Sequence, residues 1–131
     1  MKRKTLVIIA VIALAVIALF FLFKDYFIPQ QIIKDGGTVE FVDVLYLNEQ
    51  VTVDIDQIVG MLKNYSSVKS FKDYFPYEQD AVRMEINMVV NHKPLHVLLG
   101  DFDIWYDWGN TGAYEIIDGD KMQSELEALI N

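Results

Sequence analysis

The sequence predicts an α+β domain carried behind an N-terminal transmembrane helix. The run Leu6 to Phe23, LVIIAVIALAVIALFFLF, has no charge, no Gly and no Pro. Two later segments place apolar residues at i, i+3, i+4 and i+7, the period of a helix with one buried stripe. Between those helices lies a strict alternation from Val82 to Val90, which is the signature of a strand in an antiparallel sheet.

Eighteen residues rising ~1.5 Å each make a helix of roughly 27 Å, close to the ~30 Å of hydrocarbon in a bilayer. Fourteen of the eighteen are Leu, Ile, Val or Phe. At ~0.3–0.6 kcal/mol each their insertion is favourable by about 4–8 kcal/mol. Lys2, Arg3 and Lys4 precede the run, whereas Lys24 beyond it is offset by Asp25. The positive-inside bias therefore predicts a cytoplasmic N-terminus and an extracytoplasmic remainder in a single-pass cell-membrane protein. A cleaved signal would end in small residues. This run ends in Phe20, Phe21, Leu22 and Phe23, so an uncleaved signal anchor is expected, with residues 1–24 as tail and anchor and the lipid bilayer as the partner of Leu6 to Phe23.

All nineteen acidic residues fall at Asp25 or later, against seven basic ones there, which gives the outer part a net charge of −12. Such a field opposes nucleic acid and anionic head groups and permits a cationic peptide, a cationic polymer or a divalent metal, and the anchor adds an envelope protein as a possible partner. With no cysteine, there is no disulfide, thiolate site or lipid-modified Cys.

Residues 25–37 are expected to form a short tether punctuated by Pro29 and Gly36-Gly37, and residues 38–131 the folded domain. Thr38 to Leu47, rich in β-branched and aromatic residues, predicts an interior strand. Asn48-Glu49-Gln50 turns the chain into a second extended piece at Val51 to Val53. From Asp54 to Tyr65 the period becomes helical, with Ile55, Ile58, Val59 and Leu62 on one stripe and Asp54/Gln57 in capping-box spacing. Ser66 to Lys72 predicts an edge strand, since lysines discourage edge pairing. Asp73 to Asp80, with Tyr74, Phe75 and Tyr77 around Pro76, predicts a loop forming an aromatic lid.

After the Val82 to Val90 strand, Asn91 to Pro94 turns and Leu95 to Leu99 returns. A two-residue Gly100-Asp101 turn would set Leu99 opposite Phe102, Val97 opposite Ile104 and His96 opposite Trp105. Trp108 to Gly112 is expected to turn into a last strand at Ala113 to Ile117. Met122, Leu126, Leu129 and Ile130 then form a terminal helical stripe, with Asp120/Gln123 in capping-box spacing. Helices on one face of an antiparallel meander make the expected architecture.

Candidate chemistry is sparse. His92 and His96 have i, i+4 spacing, but Pro94 between them forbids a helix, so they diverge. Asp101, Asp103 and Asp107 with Trp105 can share one strand face, and with His96 they form the expected binding patch. Clustered like charges invite a cation, so a metal-binding sensor or metal-dependent enzyme on that acidic face is the alternative reading. The stretch Asp107 to Asp118 matches a calcium loop in length alone. No nucleophile elbow, H-E-x-x-H or phosphate-binding Gly motif occurs, so neither an enzyme nor a cofactor is expected. Asn64-Tyr65-Ser66 matches the glycosylation sequon. Phe71, Tyr74, Phe75 and Tyr77 with Trp105 and Trp108 are the aromatic candidates for a recognition surface.

The stretch LLGDFDIWYDWGNTGAYEIIDGDKMQSEL resembles small membrane-anchored or lipid-anchored extracytoplasmic domains of low-GC Gram-positive bacteria grouped as families of unknown function. The resemblance covers roughly residues 52 to 130 and implies an α+β domain outside the membrane, with no catalytic residue. Several such proteins keep a lipid-modified Cys that this chain lacks, so anchoring would rest on Leu6 to Phe23 alone. The expected function is that of a membrane-tethered protein- or peptide-binding or regulatory module.

Overall fold

The computed structural model describes residues 2–34, 36–107 and 112–130. The apolar run forms α1 (Arg3–Phe27), a helix long and apolar enough to cross a membrane, with none of its residues buried. The helix is apolar on every face and stands free of the domain except at its C-terminal end, where Phe71 packs on Tyr26 and Phe23. The helix continues through Lys24, Asp25, Tyr26 and Phe27, three residues past the expected end of the anchor.

The expected tether is instead part of the domain. Gln30 and Gln31 form β1 (Gln30–Gln31), which pairs with β4 (Ser66–Lys69), and Ile32 and Ile33 are buried in the main core. Two adjacent isoleucines held in water would forfeit the transfer free energy of both side chains, so the chain docks as soon as it leaves the helix.

The remaining elements are β2 (Val39–Tyr46), β3 (Glu49–Val51), α2 (Ile55–Leu62), β5 (Val82–Val90), β6 (Lys93–Gly100), β7 (Asp103–Asp107), β8 (Tyr114–Ile116) and α3 (Gly119–Ile130). Among the described residues the strands form one eight-stranded antiparallel sheet in the order β1-β4-β8-β7-β6-β5-β2-β3. The fold is therefore α+β behind an N-terminal helix. β2 is interior, and β4, expected at an edge, is shielded from it by the two residues of β1.

One sheet face carries Val44, Met84, Ile86, Met88, Leu95, Val97, Leu99 and Ile116. It packs against Ile58, Met61 and Leu62 of α2 and Met122 and Leu126 of α3. Asp54 caps α2, its Oδ1 accepting from the backbone N–H of Asp56 (2.9 Å) and of Gln57 (3.2 Å). In α3 the expected capping pair does not form. The helix begins at Gly119, two residues before the Lys121 that an Asp120 cap would make first, and the Gln123 amide instead donates to the Gly100 carbonyl (3.1 Å) and to Asp103 Oδ1 (2.5 Å).

The β6–β7 register differs from the expected one by a residue. Leu99 faces Asp103, Val97 faces Trp105, His96 faces Tyr106 and Leu95 faces Asp107. Three residues, Gly100-Asp101-Phe102, lie between the paired Leu99 and Asp103 where two are expected, with the Asp101 N–H bonded to the Ala81 carbonyl at 2.9 Å. A one-residue slip exchanges the two faces of a strand. The local pattern favours the expected register, which would put Phe102, Ile104 and Tyr106 against Leu99, Val97 and Leu95 on one apolar side, and the structure overturns it. A second apolar layer chose: Val82, Leu98, Ile104 and Ala113 make a small core on the other sheet face, covered by Tyr74, Tyr77, Phe102 and Tyr106.

Two hairpins turn through left-handed pairs. Leu47-Asn48 (φ 52° and 66°) joins β2 to β3, and Asn91-His92 (φ 52° and 65°) joins β5 to β6. These are the conformations whose twist matches paired strands. Both turns are shorter than the three- and four-residue connections that composition indicates.

Candidate functional site

The five residues expected to share a patch are divided between the two faces. Asp103, Trp105 and Asp107 do alternate onto one side of β7, but it is the side that packs under the helices. The Trp105 ring stacks on Tyr114 (4.2 Å, 6°), and its indole N–H donates to Ser67 Oγ at 2.6 Å. Ser67 is fully buried and also donates to the Gln30 carbonyl at 3.4 Å. Trp105 thus ties the first strand of the domain to its centre.

Asp103 is similarly engaged. Burial raises its pKa, against the Gln123 amide and the Gly100 backbone, which hold the charge. A Cβ on Gly119 would collide with the Asp103 side chain, so the helix start and the carboxylate need that glycine to approach each other. Asp101 stays exposed in the turn.

His96 lies on the opposite face from Asp103 and Trp105, in contrast to the expected His96–Trp105 neighbourhood. It stacks on Tyr106 (5.0 Å) and its Nδ1 lies 2.6 Å from Asn87 Oδ1. Burial lowers its pKa, opposed by the nearby Glu85 carboxylate. His92 diverges from it, pairing with Glu40 at 2.6 Å in the β5–β6 turn. Of the residues that the alternative metal reading drew on, Asp103 and Asp107 share one side of β7, whereas Asp101 lies in the turn and His96 on the other face. Among the described residues no group of three or more His, Asp or Glu is placed to hold an ion.

The loop from Ser70 to Glu78 lies across the second face. Tyr74 packs on Phe102 (5.1 Å), Tyr77 on Phe102 (5.8 Å) and Phe75 edge-on against Tyr106 (4.9 Å). Glu115 of β8 holds the loop by accepting from Ser70 Oγ (2.7 Å) and from the Tyr74 hydroxyl. The loop reaches only part of the face. Across β2, β5 and β6 the register sets Asp43 beside Asn87 and His96, and Phe41 beside Val89 and Pro94. Phe41 is 56% exposed, and Pro94 is exposed as well. Flanked by Glu85 and Phe75, this uncovered quadrant combines apolar, acidic and aromatic groups.

Of the aromatic candidates, Tyr74 and Tyr77 are cover for the second core, Phe75 borders the quadrant, Phe71 stands apart at the end of α1, and Trp108 lies outside the described residues. A second depression of about 370 Å³ is lined by Asn64, Tyr65, Ser66, Ile117, Asp118, Lys121 and Glu125. Burial and then the Glu125 carboxylate push the Tyr65 phenol up to about 12, although the hydroxyl makes no hydrogen bond of ordinary geometry. Sequence reasoning missed Phe41, Asp43 and Asn87, which only strand register makes neighbours. The alternation in β5 was the one available signal, since it put Asn87 on the face away from Met88. No family model, curated protein or solved structure matches the chain.

Proposed function

We propose that the chain is a membrane-tethered binding or regulatory module, not an enzyme, which presents the uncovered quadrant of its sheet to a basic, extended segment of an envelope protein. The N-terminus lies in the cytoplasm and the α+β domain outside, as the cations at residues 2–4 favour. The observation that carries the reading is the partial cover of the second face: the loop that seals Leu98 and Ile104 stops short of Phe41, Asp43, Asn87 and His96. Exposed aromatics beside carboxylates suit a partner that brings apolar and cationic side chains together. The net charge of −12 outside the span would speed the encounter with such a partner.

The test is a photo-crosslinking amino acid at position 41 of the full chain in its native membrane, with position 56 on the outer side of α2 as control. A discrete adduct from position 41, absent from position 56 and lost on Asp43→Lys, is the expected result. Equal labelling from both positions, or an adduct indifferent to Asp43→Lys, refutes the assignment.

A further inference from the structure

We infer that the domain is docked onto the bilayer through a second contact besides α1, in which Phe71 enters the boundary between head groups and acyl chains and Lys69 and Lys72 meet lipid phosphates. The inference rests on the membrane-spanning reading of α1. It holds for whichever leaflet surrounds the C-terminal end of that helix.

Phe71 leaves 72% of its surface uncovered, yet its ring packs against α1. The ring stacks on Tyr26 (3.8 Å, 11°) and lies 6.4 Å from Phe23, the last residue of the apolar run. A residue of the folded domain is thus held at the level where the hydrocarbon gives way to head groups, the level at which aromatic rings are favoured. With Val16, Leu19, Phe20, Phe23 and Phe27 it lines a wholly apolar groove of about 550 Å³ running down the helix. Val16 to Phe27 covers roughly 16 Å of helix at ~1.5 Å per residue, so the groove begins well inside the membrane. A groove that descends into hydrocarbon is occupied by a lipid acyl chain.

The charges around it depart from the rest of the domain. Lys69 Nζ lies 5.5 Å from the centre of the Tyr26 ring and Lys72 Nζ 5.1 Å from that of Tyr74, with Lys24 in the last turn of α1. The neighbouring carboxylates are engaged, Asp25 by the Gln30 amide, Asp73 by the Phe75 backbone N–H at 3.0 Å, and Glu115, the carboxylate near Lys72, by Ser70 Oγ at 2.7 Å and the Tyr74 hydroxyl. In a domain otherwise strongly acidic, cations are gathered where a phosphate layer would lie. A lysine at this depth keeps its stem along apolar surface and its ammonium among the head groups.

Because the chain has no cysteine, single labels are unambiguous. The full chain is reconstituted in phosphatidylcholine vesicles with a nitroxide at Phe71→Cys, at Lys72→Cys, which retains Phe71, at Ile12→Cys in the span, or at Phe41→Cys on β2, toward the opposite end of the strand order from β4. Collision with lipid-soluble oxygen and with a water-soluble nickel chelate is measured for each. Labels at 71 and 72 are expected to meet the chelate several-fold less often than the label at 41, and the Lys69→Glu/Lys72→Glu pair is expected to return position 71 to the value of position 41. If positions 71 and 72 match position 41 while position 12 is shielded, the docking is wrong and the anchor stands. If position 12 is itself exposed to the chelate, the membrane-spanning reading fails and the docking with it.

Discussion

Glu115→Ala should release the aromatic loop without touching the main core. The carboxylate accepts from Ser70 Oγ and from the Tyr74 hydroxyl, while Ser70 Oγ also takes the Lys72 backbone N–H at 3.0 Å. These bonds, Tyr74 first and Ser70 second, hold the Glu115 pKa below the usual carboxylate range against the opposing effect of burial. A hydrogen bond to a charged group contributes ~1.5–3 kcal/mol, and both hydroxyls can turn toward water at this half-buried site, so the expected loss is about 2–3 kcal/mol for the pair. Glu115→Gln keeps an acceptor of the same shape and should lose about 1 kcal/mol, the charge-assisted part. A depressed folded pKa contributes stability that is present above the unfolded pKa and lost as pH falls through the folded one, so the acid limb should flatten in Glu115→Gln. Asp103 acts in the opposite sense: its raised pKa favours folding at low pH, and that share is lost as pH rises through its folded value. The assay is denaturant unfolding of the full chain in detergent, followed by near-ultraviolet dichroism at several pH values, with amide exchange over residues 70–78. An alanine variant within ~0.5 kcal/mol of the parent, with exchange of the loop unchanged, would refute the assignment of Glu115 as its anchor.

Ser67→Ala should cost about 1–3 kcal/mol by leaving the partly buried Trp105 N–H without the acceptor that fully buried Ser67 provides, and in a Trp105→Phe background the same change should cost distinctly less. Full additivity of the two in unfolding measurements would show that the bond is not made. Leu47→Asn should stabilise the domain by roughly 0.5–1 kcal/mol, because Leu47 is 59% exposed and held at φ 52°, a conformation that asparagine tolerates better. A lowered midpoint would contradict this. Gly119→Ala should destabilise by about 1–3 kcal/mol, since its Cβ would collide with the Asp103 side chain, and Asp103→Gly should relieve most of that increment in a double-mutant cycle.

The sequence by itself determined what depends on local pattern. Leu6 to Phe23 reads as a helix long and apolar enough for a span because all of it is apolar, Asp54 to Tyr65 as a capped helix because its stripe and cap lie within one stretch, although the helix itself ends at Leu62, and Val82 to Val90 as a strand because alternation has a single period. Tertiary structure decided what depends on which surfaces meet. Ile32 and Ile33 read as tether because a short apolar pair has no period, and they became core once β1 found β4. In Asp103 to Asp107 the local pattern pointed to the wrong register, because the second core lay outside the strand's own sequence; it turned Ile104 and Tyr106 to the face of Leu98 and His96 and sent Trp105 and Asp103 under the helices. The site was illegible for the same reason. Asp43, Asn87 and His96 come from three strands, and their adjacency is a property of the hydrogen-bonded ladder, which no single segment encodes.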